Sequence, residues 1–203
     1  MKHKFLFSVF VIFFICVFIA LGSWQIIRLN WKNNLILEIE SSLKNLVVET
    51  IDSYLLHGPH SFPGLCKEDM EVWKALEDIY DSGKTKSIGV SNVNQQQLET
   101  LCELSKVTPM VVQNRCYADR AWDQEVRDFC KQNSILYQGF SLLTANPAVY
   151  KIREIGQIAS KYQVTIGQLI FRFSNQLGII PLTGTTDPIH MEEDLKIFEF
   201  SLL

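Results

Sequence analysis

The hydrophobic pattern divides the chain into two unlike parts. From Phe5 to Ile27 no residue carries a charge. From Phe5 to Leu21 nearly every position is Phe, Val, Ile, Leu, Cys or Ala, with Ser8 the one polar residue. A helix of about 20 apolar residues spans a bilayer, so the pattern predicts a single membrane span through residues 5–27. Lys2 and Lys4 precede the run, and Arg28, Lys32 and Lys44 follow it. Both flanks are basic, which leaves orientation open. Trp24 and Trp31 suit the membrane interface. A cleaved signal peptide competes, because Ala20-Leu21-Gly22 offers small residues for cleavage, but the apolar core is longer than the usual signal core. A buried soluble helix is the third reading.

Around Ser41 the pattern changes to short apolar runs alternating with amphipathic stretches. Ile51–Leu56, Lys86–Val90, Met110–Gln113, Ile135–Phe140 and Gly178–Leu182 read as strands bounded by turn chemistry. Between them lie helical faces at i, i+3, i+4, i+7 spacing. Val72, Trp73, Leu76, Ile79 and Tyr80 form the first, with Gly83 as a stop. Leu98, Leu101 and Cys102 form the second, and Trp122, Val126, Phe129 and Cys130 the third. Ile152, Ile155, Ile158, Ala159 and Tyr162 form the fourth; Ile166, Leu169, Ile170 and Phe173 form the fifth. Alternating strands and helices predict parallel β/α units. The periodicity fits a (β/α)8 barrel or a doubly wound sheet without choosing between them.

The formal net charge of -3 and the scattering of Lys and Arg argue against nucleic acid as a partner. The five cysteines, Cys16, Cys66, Cys102, Cys116 and Cys130, are widely spaced and form no CxxC pair. They predict no metal site and read as buried thiols in a reducing compartment.

Specific motifs choose the fold. Asp52-Ser53-Tyr54-Leu55-Leu56-His57-Gly58-Pro59 resembles the aldo/keto reductase strand that ends in that family's histidine. Lys84-Thr85-Lys86-Ser87-Ile88-Gly89-Val90-Ser91-Asn92 resembles its next strand, GKIKxIGVSN. Pro109-Met110-Val111-Val112-Gln113-Asn114 resembles the PxVxQN strand. Tyr137-Gln138-Gly139-Phe140-Ser141-Leu142-Leu143-Thr144 resembles the following strand and cofactor loop, and Ile180-Pro181-Leu182-Thr183-Gly184-Thr185-Thr186 the final one. The resemblance implies that residues 41–203 form the C-terminal part of a (β/α)8 TIM barrel, about five of its eight parallel β/α units. Residues 1–40 form a separate part. There the pattern LGxWQxxRxxWK over residues 21–32 resembles the start of SURF1-family membrane proteins, which are tied to cytochrome c oxidase assembly.

The aldo/keto reductase resemblance implies a role for each strand end. His57 would orient and polarise a substrate carbonyl. Ser91, Asn92 and Gln113 would hydrogen-bond the carboxamide of a nicotinamide, a role for groups that donate and accept. Phe140 would pack on the nicotinamide face, and Ser141 and Leu143 would line the pyrophosphate. Thr183, Gly184 and Thr185 form a small-residue loop, and a helix starting near Pro188 would offer free N–H groups to a phosphate. Glu193 and Asp194 match positions that contact adenine. Taken without these motifs, His57 is a polar strand end, Ser91-Asn92 a helix N-cap, Phe140 a core residue and Thr183–Thr186 a turn. Leu182 stands where many NADP-using members carry lysine, so the choice between NADP and NAD stays open.

In the family a tyrosine donates the proton to the developing alkoxide, assisted by a lysine and an aspartate. All three precede the Leu55-Leu56-His57-Gly58-Pro59 strand, where this chain has its apolar segment. The expected function is therefore an NAD(P)H-dependent carbonyl oxidoreductase by descent, acting on a small-molecule carbonyl, with only His57 of the catalytic set and inactive alone. The expected location is a single-pass membrane anchor, with the side of the reductase part open. The alternative is a non-enzymatic SURF1-like membrane protein.

Overall fold

In the computed structural model, the backbone is described for residues 2–202 and the side chains for residues 10–26 and 34–202. The chain divides into two units, residues 1–51 and 52–203. The first unit is built on one long helix, α1 (Lys2–Leu46). Helix-breaking proline is absent from its sequence. Phe10, Phe13, Phe18 and Ile19 are 60%, 60%, 68% and 63% exposed. Among the described residues, no helix is long and apolar enough to cross a membrane. The span expected at residues 5–27 includes residues 5–9 and 27, whose side chains lie outside the described ones.

The second unit alternates strands and helices: β1 (Tyr54–Leu56), α2 (Lys67–Asp81), β2 (Ile88–Ser91), α3 (Gln95–Leu104), β3 (Val111–Arg115) and α4 (Gln124–Gln132). Then come β4 (Leu136–Phe140), α5 (Arg153–Tyr162), α6 (Ile166–Gln176), β5 (Ile180–Pro181) and α7 (Pro188–Leu195). The strands pair in chain order, β1-β2-β3-β4-β5. All four pairings are parallel, with Tyr54 opposite Ile88, Gly89 opposite Val111, Val111 opposite Leu136 and Gln138 opposite Ile180. A doubly wound sheet reverses its strand order at a switch point. No reversal occurs here, so the parallel α/β fold is that of part of a (β/α)8 barrel. Its edge strands among the described residues are β1 and β5.

Helices α2, α3, α4 and α6 bury residues of the faces that periodicity predicts, whereas on the α5 face only Ala159 is buried and Ile152 and Ile158 are exposed. Trp73, Leu76 and Ile79 of α2, Leu98 and Leu101 of α3, and Val126 and Cys130 of α4 are buried, as are Leu169 and Ile170 of α6. Each apolar side chain so buried contributes about 1.5–3 kcal/mol. Polar side chains then lock helices to loops. Trp73 Nε1 donates to the Val107 carbonyl at 3.0 Å, and the Glu77 carboxylate accepts from the Lys106 and Val107 N–H groups. Together they pin the approach to β3. The sheet itself is tight at Gly89, where a Cβ would lie against the Val111 carbonyl oxygen.

Three details differ from the sequence reading. Helix α4 starts at Gln124 rather than Trp122, because Ala121, Trp122 and Asp123 all adopt positive φ. Trp122 instead packs on Phe173, ring centroids 5.8 Å apart. Of the cysteines, only Cys116 and Cys130 are buried; Cys66 and Cys102 are half-buried and Cys16 is exposed. Burial pushes the Cys116 thiol up and the Cys130 thiol up to about 12.

Candidate functional site

Parallel pairing in chain order brings the C-terminal ends of β1 to β4 side by side. A line of hydrogen bonds crosses them. Asn92 Nδ2 donates to the His57 carbonyl at 2.7 Å and to Ser91 Oγ at 3.0 Å. Ser91 Oγ donates to the Gln113 carbonyl at 2.6 Å, and the Asn92 N–H donates to the same oxygen at 3.1 Å. Gln113 Nε2 donates to Gln138 Oε1 at 3.0 Å. Ser91 and Asn92 are not the cap of α3: Asn94 caps it in a box with Gln97. Asn92 takes a positive φ of 55° instead, which aims its amide back across the strand ends. These bonds leave Asn92 Oδ1 and Gln113 Oε1 as carbonyl acceptors at the mouth. His57 is exposed beside them.

Next to this cluster opens a cleft of about 890 Å³. Phe140, Ser141 and Leu143 form one wall, Thr183, Gly184 and Thr185 a second, and Glu193 and Asp194 a third. Ser141 has a positive φ of 55°, turning the chain sharply off the end of β4 into this wall. The wall is braced from behind. Asn146 accepts from the Ala118 N–H and donates to the Cys116 and Leu142 carbonyls. Thr183 Oγ1 donates to Asp194 Oδ2 at 2.7 Å, tying loop to helix. Gln168 completes the capping box of α6 with Thr165 and donates to the Glu193 carbonyl at 2.9 Å.

One expectation needs correction. Helix α7 does begin at Pro188, but its N-terminus is already occupied by an anion of its own. Pro188 has no N–H, and the Ile189 N–H donates to Asp187 Oδ1 at 2.8 Å. The Asp187 N–H in turn donates to Thr185 Oγ1 at 3.1 Å. The free N–H groups expected for a phosphate are therefore reduced.

Two buried polar clusters support the site without having been visible in the motifs. Asp123 Oδ2 accepts from Tyr137 OH at 2.7 Å and from Asn114 Nδ2 at 2.8 Å. Asn114 also bridges the Val93 N–H and carbonyl, fixing the loop after Asn92. Burial, with Asp123 beside it, drives the Tyr137 hydroxyl far above its ordinary range. It is a neutral strut. The second cluster centres on Asp69, which holds the segment after His57 through His60, Ser61 and Cys66. Its signal in sequence is weak: an aspartate in the first turn of a helix reads as an ordinary cap. Among the described residues no cluster of His, Cys, Asp or Glu could hold a metal ion.

A parallel sheet in chain order, with amides at its strand ends and a hydroxyl-lined cleft beside them, agrees with comparison to known proteins. The sequence model described as the aldo/keto reductase family matches residues 24–203. The chain belongs to the aldo/keto reductase family. The match begins at Trp24, inside the stretch whose motif resembles SURF1. A glyoxal reductase of Bacillus subtilis (strain 168) is 32% identical over 163 residues, covering 80% of this chain and 56% of the relative. An NAD(P)H-dependent 6'-deoxychalcone synthase of Glycine max is 30% identical over 182 residues, covering 81% and 57%. The crystal structure of an aldo/keto reductase from Brucella melitensis aligns with TM-score 0.73 at 30% identity, covering 83% of this chain and 62% of that one. The chain thus spans a little over half the length of the curated relatives it matches.

Aldo/keto reductase relatives depend on NADP or NAD. The donor set fits such a dinucleotide. The cleft lies within the range of about 300–1,000 Å³ usual for ligand sites. Ser141, Thr183 and Thr185 bring hydroxyls to it and Phe140 an aromatic face; His57, Ser91, Asn92 and Gln113 are not among its lining residues.

Proposed function

We propose that this chain is the cofactor-gripping part of an NAD(P)H-dependent carbonyl oxidoreductase, held to a membrane by α1. The observation that carries the reading is the gathering of Phe140, Ser141, Leu143, Thr183, Gly184, Thr185, Glu193 and Asp194 around one cleft. In this reading Ser91, Asn92 and Gln113 bind the carboxamide of the cofactor and Phe140 stacks on its ring. Ser141 and Leu143 line the pyrophosphate. Glu193 and Asp194 flank the adenine end, and Asp194 also holds Thr183 in place. A bound reduced nicotinamide supplies a hydride. His57 orients the carbonyl of a small-molecule substrate.

Reduction further needs a general acid whose pKa is near the working pH, a contribution of about 10²–10⁴-fold. The tyrosine in the cleft wall is Tyr150, and burial raises its pKa. No lysine lines the cleft to lower it again. The chain alone is therefore proposed to bind cofactor without reducing carbonyls. Titrating the full chain with NADH and NADPH, followed by coenzyme fluorescence, should give saturable binding. A strictly linear signal for both would remove the reading.

The anchor rests on the apolar residues exposed around α1, such as Phe10, Phe18 and Ile19. A helix apolar on all sides belongs in a protein core or in lipid. Retention in the membrane pellet after an alkaline carbonate wash is the expected result; release into the supernatant would contradict a single-pass anchor. A second reading makes the SURF1-like stretch at residues 21–32 the working part, in a non-enzymatic protein of oxidase assembly. It predicts membrane retention with no dinucleotide binding.

A further inference from the structure

We infer that the cleft selects NAD(H) over NADP(H). This rests on the cofactor reading above. The two dinucleotides differ by one phosphate monoester on the adenosine ribose, which carries a charge of about -1.5 to -2 at neutral pH. Every contact common to both cancels in the ratio of their affinities. The ratio depends on what the site offers that one group.

It offers little. Among the residues lining the cleft there is no lysine and no arginine, while Glu193 and Asp194 both contribute carboxylates. Leu182, on the lining just past β5, is apolar. The N-terminus of α7 would be the natural anion seat, but Asp187 occupies it with its own carboxylate, on the Ile189 N–H. Helix α7 does present one titratable cation to the cleft, His190. Its Nδ1 lies 4.0 Å from Asp187 Oδ2, so any charge it gains is already faced by an acid. Lys196, at the far end of the same helix, is committed to Glu192 at 2.6 Å. The additional ribose phosphate would approach carboxylates without a matching cation. Asp194 is also bound to Thr183, so neither the acid nor that hydroxyl is free to swing toward an anion.

Two partly exposed like-charge contacts are together worth about tenfold in affinity. Full chain titrated with each reduced dinucleotide should therefore bind NADH at least about tenfold more tightly than NADPH in low salt. The gap should narrow as added salt screens the carboxylates. ADP-ribose should displace bound NADH better than its 2′-phosphate does, which reads the same preference without the nicotinamide. The double variant Leu182→Lys, Asp187→Asn should shift the ratio toward NADPH. NADPH binding as tightly as NADH in the natural chain would overturn the inference while leaving the cofactor reading standing. Binding of neither would overturn both.

Discussion

Asp69→Asn removes the charge from a carboxylate that ties the segment after His57 to α2. Asp69 is 3% exposed and accepts from the His60 N–H at 2.7 Å, Ser61 Oγ at 3.0 Å, the Cys66 N–H at 2.9 Å and Cys66 Sγ at 3.2 Å. Burial alone would raise its pKa. The hydrogen bonds from Cys66, His60 and Ser61 outweigh burial and hold it down at about 2, from an ordinary 3.8. At about 1.4 kcal/mol per tenfold change, that difference corresponds to about 2 kcal/mol of folding stability. The sign follows from the folded state preferring the ionised form. The contribution is complete above 3.8 and is lost as pH falls through about 2. Asparagine keeps one acceptor but turns an NH₂ group toward a backbone donor, the His60 N–H or the Cys66 N–H according to its orientation. Losing charge-assisted bonds of about 1.5–3 kcal/mol each, the variant should be less stable than the natural chain by about 2–4 kcal/mol at neutral pH. It should also lack most of the acid dependence. Urea unfolding followed by tryptophan fluorescence, at neutral and acid pH, measures both, since Trp73 is fully buried. A variant within about 0.5 kcal/mol of the natural chain at neutral pH, with the same acid dependence, would refute the reasoning.

Gly89→Ala places a methyl against the Val111 carbonyl oxygen and 2.5 Å from Leu55 Cδ2, so β2 and β3 must separate and the Leu55 side chain must shift. The expected loss is at least about 1–3 kcal/mol by urea unfolding, and dinucleotide binding should weaken with it because Ser91 and Gln113 move apart. Thiol labelling at neutral pH, mapped by mass spectrometry, should modify Cys66 while leaving Cys116 and Cys130 unmodified until the chain unfolds, given their burial and raised pKa values. Cys16 should react with a charged reagent in detergent-free peptide but be protected when the chain sits in vesicles; equal labelling in both would count against lipid burial of α1.

Much of the fold was legible because strand positions followed β-branched runs and helix faces followed a regular period. The ends were not. The run Gly178–Leu182 reads as a strand, yet β5 pairs only over Ile180 and Pro181. Pro181 has no N–H to donate, and a strand at the sheet edge has one neighbour to pair with. Likewise the run Ile51–Leu56 becomes a continuous strand only from Tyr54, as β1, the other edge among the described residues. The motif residues were legible as types, but their partners were not. Nothing in Ser91-Asn92 reveals that Asn92 turns left-handed to reach the His57 carbonyl 35 positions back. Nor does Asp187 before Pro188 reveal whether it caps the helix or leaves room for a phosphate. Both depend on backbone angles that local sequence only biases. The Asp123–Tyr137–Asn114 strut joins three separate segments, and no periodicity reports contacts of that kind.

The central claim is a chain that holds a reduced dinucleotide without passing its hydride to a carbonyl. Rapid mixing of the full chain, in excess and preloaded with NADH, against a simple aldehyde tests it most directly, with the absorbance of the reduced nicotinamide followed over a single turnover. Bound NADH should persist as it does in an aldehyde-free control. Aldehyde-dependent oxidation of the bound NADH, matched by alcohol formed in equal amount, would contradict it.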